Sequence, residues 1–135
     1  MIVDTSAVLA ILFAESDAEL YARALTQAGS CRMSAATFVE AVVVIDAQTK
    51  DRGRRQFDAF IRRAAIAIEP VTEEQANIAR QAYADFGKGR YPTGLNFGDC
   101  FAYALAKVTG EPLLYKRRDF ERTDVASAIE MGAVR

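Results

Sequence analysis

Short apolar runs alternate along the chain with longer segments whose apolar residues recur at helical spacing. Ile2-Val3, Cys31-Arg32-Met33, Ile66 to Val71 and Pro112-Leu113-Leu114-Tyr115 are the short runs, and each has the length of a strand. Between them, Thr5 or Ser6 can cap a helix through about Phe13. Ser16-Asp17 opens a second helix, with Leu20, Ala24 and Leu25 on one face, ending near Gly29. Arg52-Gly53 reads as a break, and Gln56 to Ala65 as an amphipathic helix with Phe57, Phe60, Ile61 and Ala64 inward. Thr72-Glu73-Glu74-Gln75 is a capping box that starts a helix to about Phe86. Gly87 to Gly98 is rich in glycine and carries Pro92, so it reads as a loop. Asp99 to Thr109 is a helix stopped by Gly110. Lys116 to Asp124 is polar, and Val125 onward can add an edge strand.

The segment from Ala35 to Lys50 pulls two ways. Phe38-Val39-Glu40-Ala41-Val42-Val43-Val44-Ile45 is rich in β-branched residues, which favour a strand. Ser34 as a cap, the alanines and the total length favour a helix, with Phe38, Val42 and Ile45 on one face and Val39 and Val43 beside it. The helix is the better reading. Strands and helices then alternate throughout, which predicts one α/β domain over residues 1–135, with a parallel sheet covered by helices on both faces.

Composition narrows the chemistry. Apolar residues make up 51% of the 135, which fits a folded domain. No apolar run is long enough to span a bilayer. A first strand at residue 2 leaves no room for a signal peptide, so a cytoplasmic protein is expected. There is no histidine, which removes the usual neutral-pH base and every histidine-ligated zinc site. Cys31 and Cys100 lie far apart among apolar neighbours and read as core thiols. Hydrolytic chemistry is left to carboxylates, hydroxyls, lysines or an oxygen-ligated metal. The net charge of −1 does not mark a generic nucleic-acid binder. Basic residues are nevertheless clustered at Lys50 to Arg55, Arg62-Arg63, Lys88 to Arg90 and Lys116-Arg117-Arg118, and local patches can track a phosphate backbone.

Four acids carry the candidate chemistry. Asp4 and Asp119 lie at or just past the C-terminal ends of expected strands; Glu40 and Asp99 lie near the starts of expected helices. In a parallel sheet those positions share one face, where the working crevice is found. Each acid has a plainer reading. Asp4 and Asp99 suit helix N-caps, Glu40 fits a capping box with Thr37 or points outward, and Asp119 is a loop aspartate. Yet a carboxylate carried inside Phe38 to Val42 is costly unless it is paired or bound to a metal. Four acids at one site repel and raise at least one pKa, and a divalent cation relieves this. With no His or Cys ligand set, Mg²⁺, or Mn²⁺ in its place, is the natural choice.

In this order and these contexts the acids resemble those of the PIN-domain ribonucleases, the VapC-type toxins in particular. Ile2-Val3-Asp4-Thr5-Ser6-Ala7 is similar to the family's first acidic motif, and Phe38-Val39-Glu40-Ala41 to the second. Leu95 through Ala106, around Asn96 and Asp99, is similar to the third and is long and specific. Pro112 to Lys116 with Asp119-Phe120 and Thr123-Asp124 is similar to the fourth. The resemblance implies a three-layer α/β/α PIN-like fold and an endoribonuclease dependent on Mg²⁺ or Mn²⁺. It implies Asp4, Glu40, Asp99 and Asp119 as catalytic metal ligands, with Ser6, Asn96, Thr123 and Asp124 in support. It also implies a structured RNA substrate such as a tRNA, a VapB-like antitoxin, and a homodimer. Arg117 and Arg118 depart from the family, which usually has a glycine followed by a small or acidic residue there. With Lys116 they are expected to grip RNA phosphates. They could instead offset the acidic cluster, point to solvent, or meet an acidic antitoxin tail.

Rival readings remain open at this stage. A DNA or flap nuclease could use the same scaffold, although no accessory DNA-binding element is visible. A PIN-like domain could bind RNA or a partner without cutting it. A phosphatase with an aspartyl nucleophile would want an acid where Ser6 stands. A receiver-like domain would need an aspartate at the end of a middle strand, and neither candidate strand supplies one.

Overall fold

The computed structural model describes residues 1–129. Four parallel strands, β1 (Ile2–Val3), β2 (Cys31–Ser34), β3 (Ile66–Glu69) and β4 (Leu113–Leu114), form one sheet in the order β3-β2-β1-β4. Helices α1 (Thr5–Leu12), α2 (Ala18–Gln27), α3 (Ala35–Thr49), α4 (Asp51–Arg63), α5 (Glu73–Phe86) and α6 (Phe97–Thr109) connect them.

Residue alternation along the strands separates the two faces. Ile2 and Leu113 turn toward α5 and α6, joining Ala79, Ala82, Leu105 and Phe120. Val3 and Leu114 turn the other way, with Met33 and Ile66, and pack with Val8, Ala41, Ile45 and Phe57 from the remaining helices. Parallel strands buried on both faces read as continuous apolar runs, as Ile2-Val3 and Leu113-Leu114 do. The result is the expected three-layer α/β/α arrangement. Among the described residues, no helix is long and apolar enough to cross a membrane.

The strand order places a switch point at β1. The chain moves outward from β1 to β2 and β3, then crosses back to set β4 on the other side of β1. Crevices at such points open beyond the C-terminal strand ends, and Asp4 is the first residue past the end of β1.

Ser34 caps α3, its Oγ accepting from the Ala36 N–H at 3.2 Å, so the β-branched segment is helical. The expected break at Arg52-Gly53 falls earlier, at Lys50, whose φ is 58°. Gly53 is helical and buried; a Cβ there would stand 1.6 Å from Thr49 Oγ1. That glycine lets α4 approach the end of α3 closely, and it serves no turn. Helix α6 begins at Phe97, two residues before the expected start, because Asn96 takes the cap position. Thr72 caps α5, but Gln75 donates to the Pro70 carbonyl instead of closing the expected box. The edge strand expected from Val125 is reduced to a single parallel bridge, Leu113 to Ser127, and residues 130–135 lie outside those described. Both cysteines are buried and free, in line with core thiols.

Candidate active site

Asp4 ends β1 and is the N-cap of α1. Its Oδ2 accepts from the Ser6 backbone N–H at 3.0 Å and from the Ser6 hydroxyl at 2.6 Å. Capping explains one carboxylate oxygen only. Oδ1 is buried with no hydrogen-bond partner, and the residue is 1% exposed. The hydroxyl of Ser6 in turn accepts from the Lys116 N–H at 2.9 Å. The loop after β4 is thus tied through Ser6 to the acid after β1.

Asp99 repeats the pattern on α6. Asn96 Oδ1 accepts from the Asp99 N–H at 2.8 Å, and Asp99 Oδ2 accepts from the Asn96 N–H at 3.0 Å. This reciprocal box fixes the carboxylate and leaves Oδ1 buried and without a hydrogen bond. Asp4 is therefore a cap, Asp99 is the box partner of the cap Asn96 and not the N-cap expected from sequence, and each keeps its other oxygen buried without a hydrogen bond. Burial pushes the Asp99 pKa up to about 7, and the Asp4 charge adds to the effect. Burial also raises the pKa of Asp4, against the pull of its Ser6 hydrogen bonds.

Glu40 sits inside α3, far from the cap at Ser34, so it closes no box with Thr37. Its Oε1 accepts from the Thr5 hydroxyl at 2.8 Å. Its other oxygen lies against Gly98, where a Cβ would come within 1.7 Å of it. Glycine at Gly98 therefore gives the Glu40 carboxylate its place at the start of α6. Gly98→Ala is expected to displace Glu40 and lower activity by ~10-fold or more. Stability should hold or rise, because alanine exceeds glycine in a helix by about 1 kcal/mol. Thermal melts beside RNA cleavage assays check this; full activity would detach Glu40 from function.

Asp119 lies in a short 3₁₀ turn, Arg118–Phe120, past β4. Arg117 reaches back between the acids. Its Nη2 is 2.8 Å from Asp119 Oδ2 and its Nη1 is 3.5 Å from Asp99 Oδ1. Neither contact is aligned as a hydrogen bond, since both oxygens are left without one. Burial works against the Arg117 charge, but Asp99, Asp119, Asp4 and Glu40 outweigh it and raise its pKa. Asp99 and Asp119 thus face one guanidinium, and the charges of Asp4 and Glu40 also act on it.

The expected supporting and basic residues divide. Ser6 and Asn96 orient the two aspartates. Thr123 turns back to the Phe120 carbonyl at 2.7 Å, and Asp124 binds the Tyr103 hydroxyl and Lys107 Nζ, at 2.5 and 2.9 Å. Asp124 thus ties the C-terminal segment to α6, Thr123 closes the turn after Phe120, and neither bonds to the acids. Lys116 turns away to Glu15 and Asp17, while Arg118 is exposed. The three cations therefore do not act as one patch. Sequence reading passed over Thr5 as a site residue, treating it only as a possible cap, and passed over Gly98. A hydroxyl directly after Asp4 was the available signal for the first.

The donor set suits a divalent cation. Buried carboxylate oxygens on Asp4, Asp99 and Asp119 lack hydrogen bonds, and every nearby donor is a hard oxygen. As they stand, however, no three His, Cys, Asp or Glu side chains among the described residues are gathered to hold an ion. A cleft of about 500 Å³ opens beside the acids, lined by Thr5, Ser6, Glu40, Asn96, Lys116 and Arg117 among others.

The PIN domain profile matches residues 1–126. Ribonuclease VapC28 of Mycobacterium tuberculosis is 52% identical over 131 residues, covering 96% of this chain and 98% of the relative. Ribonuclease VapC of Mycolicibacterium smegmatis is 47% identical over 127 residues, covering 94% and 98%. Among solved structures, Mycobacterium tuberculosis VapC20, described as a sarcin-ricin loop cleaving toxin, superposes with a TM-score of 0.72 at 17% identity, covering 93% of this chain and 95% of that one. VapBC2 from Rickettsia felis, bound to a promoter DNA fragment, gives 0.70 at 13% identity, covering 93% and 94%. A cluster of acids past the strand ends of a parallel α/β/α sheet thus coincides with near full-length similarity, and the chain belongs to the PIN-domain family, among the VapC ribonucleases.

Proposed function

We propose that this chain is the toxin of a toxin–antitoxin pair, an endoribonuclease that cleaves structured RNA such as a tRNA with Mg²⁺ or Mn²⁺. The observation that carries the metal reading is the pair of buried carboxylate oxygens left without hydrogen bonds, Asp4 Oδ1 and Asp99 Oδ1, on two aspartates close enough for the charge of one to raise the pKa of the other. Asp4, Asp99, Glu40 and Asp119 would hold the cation. When bound, it would supply an activated water and charge stabilisation for a phosphoryl oxygen. Ser6, Asn96 and Thr5 keep the acids oriented, and Arg118, exposed and one residue before Asp119, would meet the phosphate backbone. Purified protein is expected to cleave structured RNA with Mg²⁺ and to stop in EDTA. Cleavage that persists in EDTA would sink the metal reading, and cleavage of DNA alone would favour the rival nuclease.

Similarity to the VapC ribonucleases supports a VapB-like antitoxin as partner, and with it a cytoplasmic site of action. A groove of about 950 Å³ between α1, α2 and α4 has Ile11, Leu25 and Phe60 at its floor and Arg52, Arg55 and Arg63 along it. It suits an amphipathic segment with an acidic face. Expression of the chain alone should arrest growth, and the co-expressed antitoxin should relieve it; tolerance of soluble, nuclease-active protein would end the toxin reading.

A homodimer is supported by an apolar shoulder beside the acids. Val39 and Val43 on α3 are 58% and 62% exposed, and Phe97 on α6 is 78% exposed, edge-on to Phe101 at 5.0 Å. They flank the contact of Glu40 with Gly98. Exposed large apolar groups so placed mark an interaction surface. Phe97→Ser is expected to shift a dimer to a monomer in light scattering at micromolar concentration. An unchanged mass would place the interface elsewhere.

A further inference from the structure

Arg117 is a cation set against two of the acids, and the proposed reaction does not use that placement. Its two guanidinium nitrogens face Asp119, two residues on in the 3₁₀ turn, and Asp99, on the distant helix α6, at 2.8 and 3.5 Å. The same two carboxylates are among the proposed metal ligands, and Asp99 is 1% exposed. A planar fork can face two carboxylates at once, its single positive charge shared between them without a well-aligned hydrogen bond to either. That is what the unaligned contacts show. Among the described residues no three acids are gathered for an ion, and the guanidinium stands against two of the four.

We propose that Arg117 is a tethered counter-ion that holds the acidic cleft closed, and that a divalent cation binds by displacing its guanidinium from Asp99 and Asp119. This rests on the metal-dependent reading of the site. Two features make displacement feasible. The Arg117 side chain is 38% exposed, so part of it already meets water. It also lines the cleft beside Ser6 and Asn96, where a substrate phosphate would pass. A displaced guanidinium is therefore delivered to the phosphate side, coupling metal entry to substrate binding through one side chain.

The test measures metal binding without turnover. Mn²⁺ affinity is followed by calorimetry and by the electron paramagnetic resonance signal of free Mn²⁺, on the full chain without RNA. Arg117→Gln is expected to bind Mn²⁺ at least ~10-fold more tightly than wild type, about 1.4 kcal/mol, and to melt at lower temperature in EDTA. Arg117→Lys keeps a cation but loses the fork, and is expected to fall between the two. It also keeps the test alive if the neutral variant does not fold. Arg118→Gln removes a neighbouring charge that touches none of the acids, and is expected to change affinity less than twofold.

Equal or weaker Mn²⁺ binding by Arg117→Gln would overturn the counter-ion while leaving the metal reading intact. An equal gain in Arg118→Gln would also overturn it, because general electrostatics would then suffice. Failure of wild type and all variants to bind Mn²⁺ at millimolar concentration would overturn both readings together.

Discussion

Asp4→Asn and Asp99→Asn are each expected to lower RNA cleavage at least ~10³-fold, about 4 kcal/mol of transition-state stabilisation, in a protein that stays folded. Both aspartates do two jobs on separate oxygens. Asp4 Oδ2 caps α1 and Asp99 Oδ2 completes the box that starts α6, while the Oδ1 atoms are buried and unpartnered. Asparagine keeps one carbonyl oxygen for the capping bond and is as good a cap as aspartate. It removes the negative charge that only the cleft can use. Stability should therefore hold, or rise in metal-free buffer as repulsion within the cluster falls. Cleavage assays at saturating Mg²⁺, paired with circular dichroism and thermal melts, check both halves. Activity within 10-fold of wild type in either variant would remove that aspartate from the chemistry.

The double role of these aspartates shows why the acids are legible in sequence beside their plain readings, of which the N-cap holds for Asp4 while Asn96 takes that place ahead of Asp99. Ile2-Val3 ending on Asp4 announced a strand end, and Leu95 to Ala106 announced a capped helix. Capping and ligation both favour an acid at the same place, so local pattern could not choose between them. The choice comes from which oxygen is engaged. Other features were invisible for a different reason. Gly53 reads as a turn residue until its approach to Thr49 is known. Nothing local places Lys116 beside Glu15 and Asp17, about a hundred positions earlier, or sends Arg117 back between Asp99 and Asp119. Thr123 and Asp124 were close to Asp119 along the chain, but the turn after Phe120 carries them to α6 instead. Separation in sequence and the direction of a single turn decided these residues, and neither is written in residue type. The α3 helix was legible against its own β-branched composition because Ser34 and segment length outweighed propensity, as tertiary context often allows.

In EDTA the protein is expected to lose stability as the pH rises from about 4 to 7. The folded-state pKa of Asp99 is raised from 3.8 to about 7, chiefly by burial and then by the Asp4 charge. In that window the native state keeps a proton that the unfolded chain has released. Fewer protons are bound on unfolding, so stability falls with rising pH. The full shift corresponds to roughly 4 kcal/mol, and the raised pKa of Asp4 has the same sign. Asp124, whose pKa is lowered chiefly by the Tyr103 hydroxyl, acts in the opposite sense and below about pH 4, outside the window. Urea midpoints measured from pH 4.5 to 7.5 in EDTA should fall for wild type and fall less steeply for Asp99→Asn, which keeps only the share of Asp4. Parallel slopes would show that Asp99 does not hold a proton in the native state. Saturating Mn²⁺ should flatten the wild-type slope, because a bound cation takes over the neutralising role of the proton. Arg117 already does part of that work, since its charge lowers the Asp99 pKa. Arg117→Gln is therefore expected to steepen the metal-free slope, the opposite of Asp99→Asn, although both variants remove a charge from the same cleft.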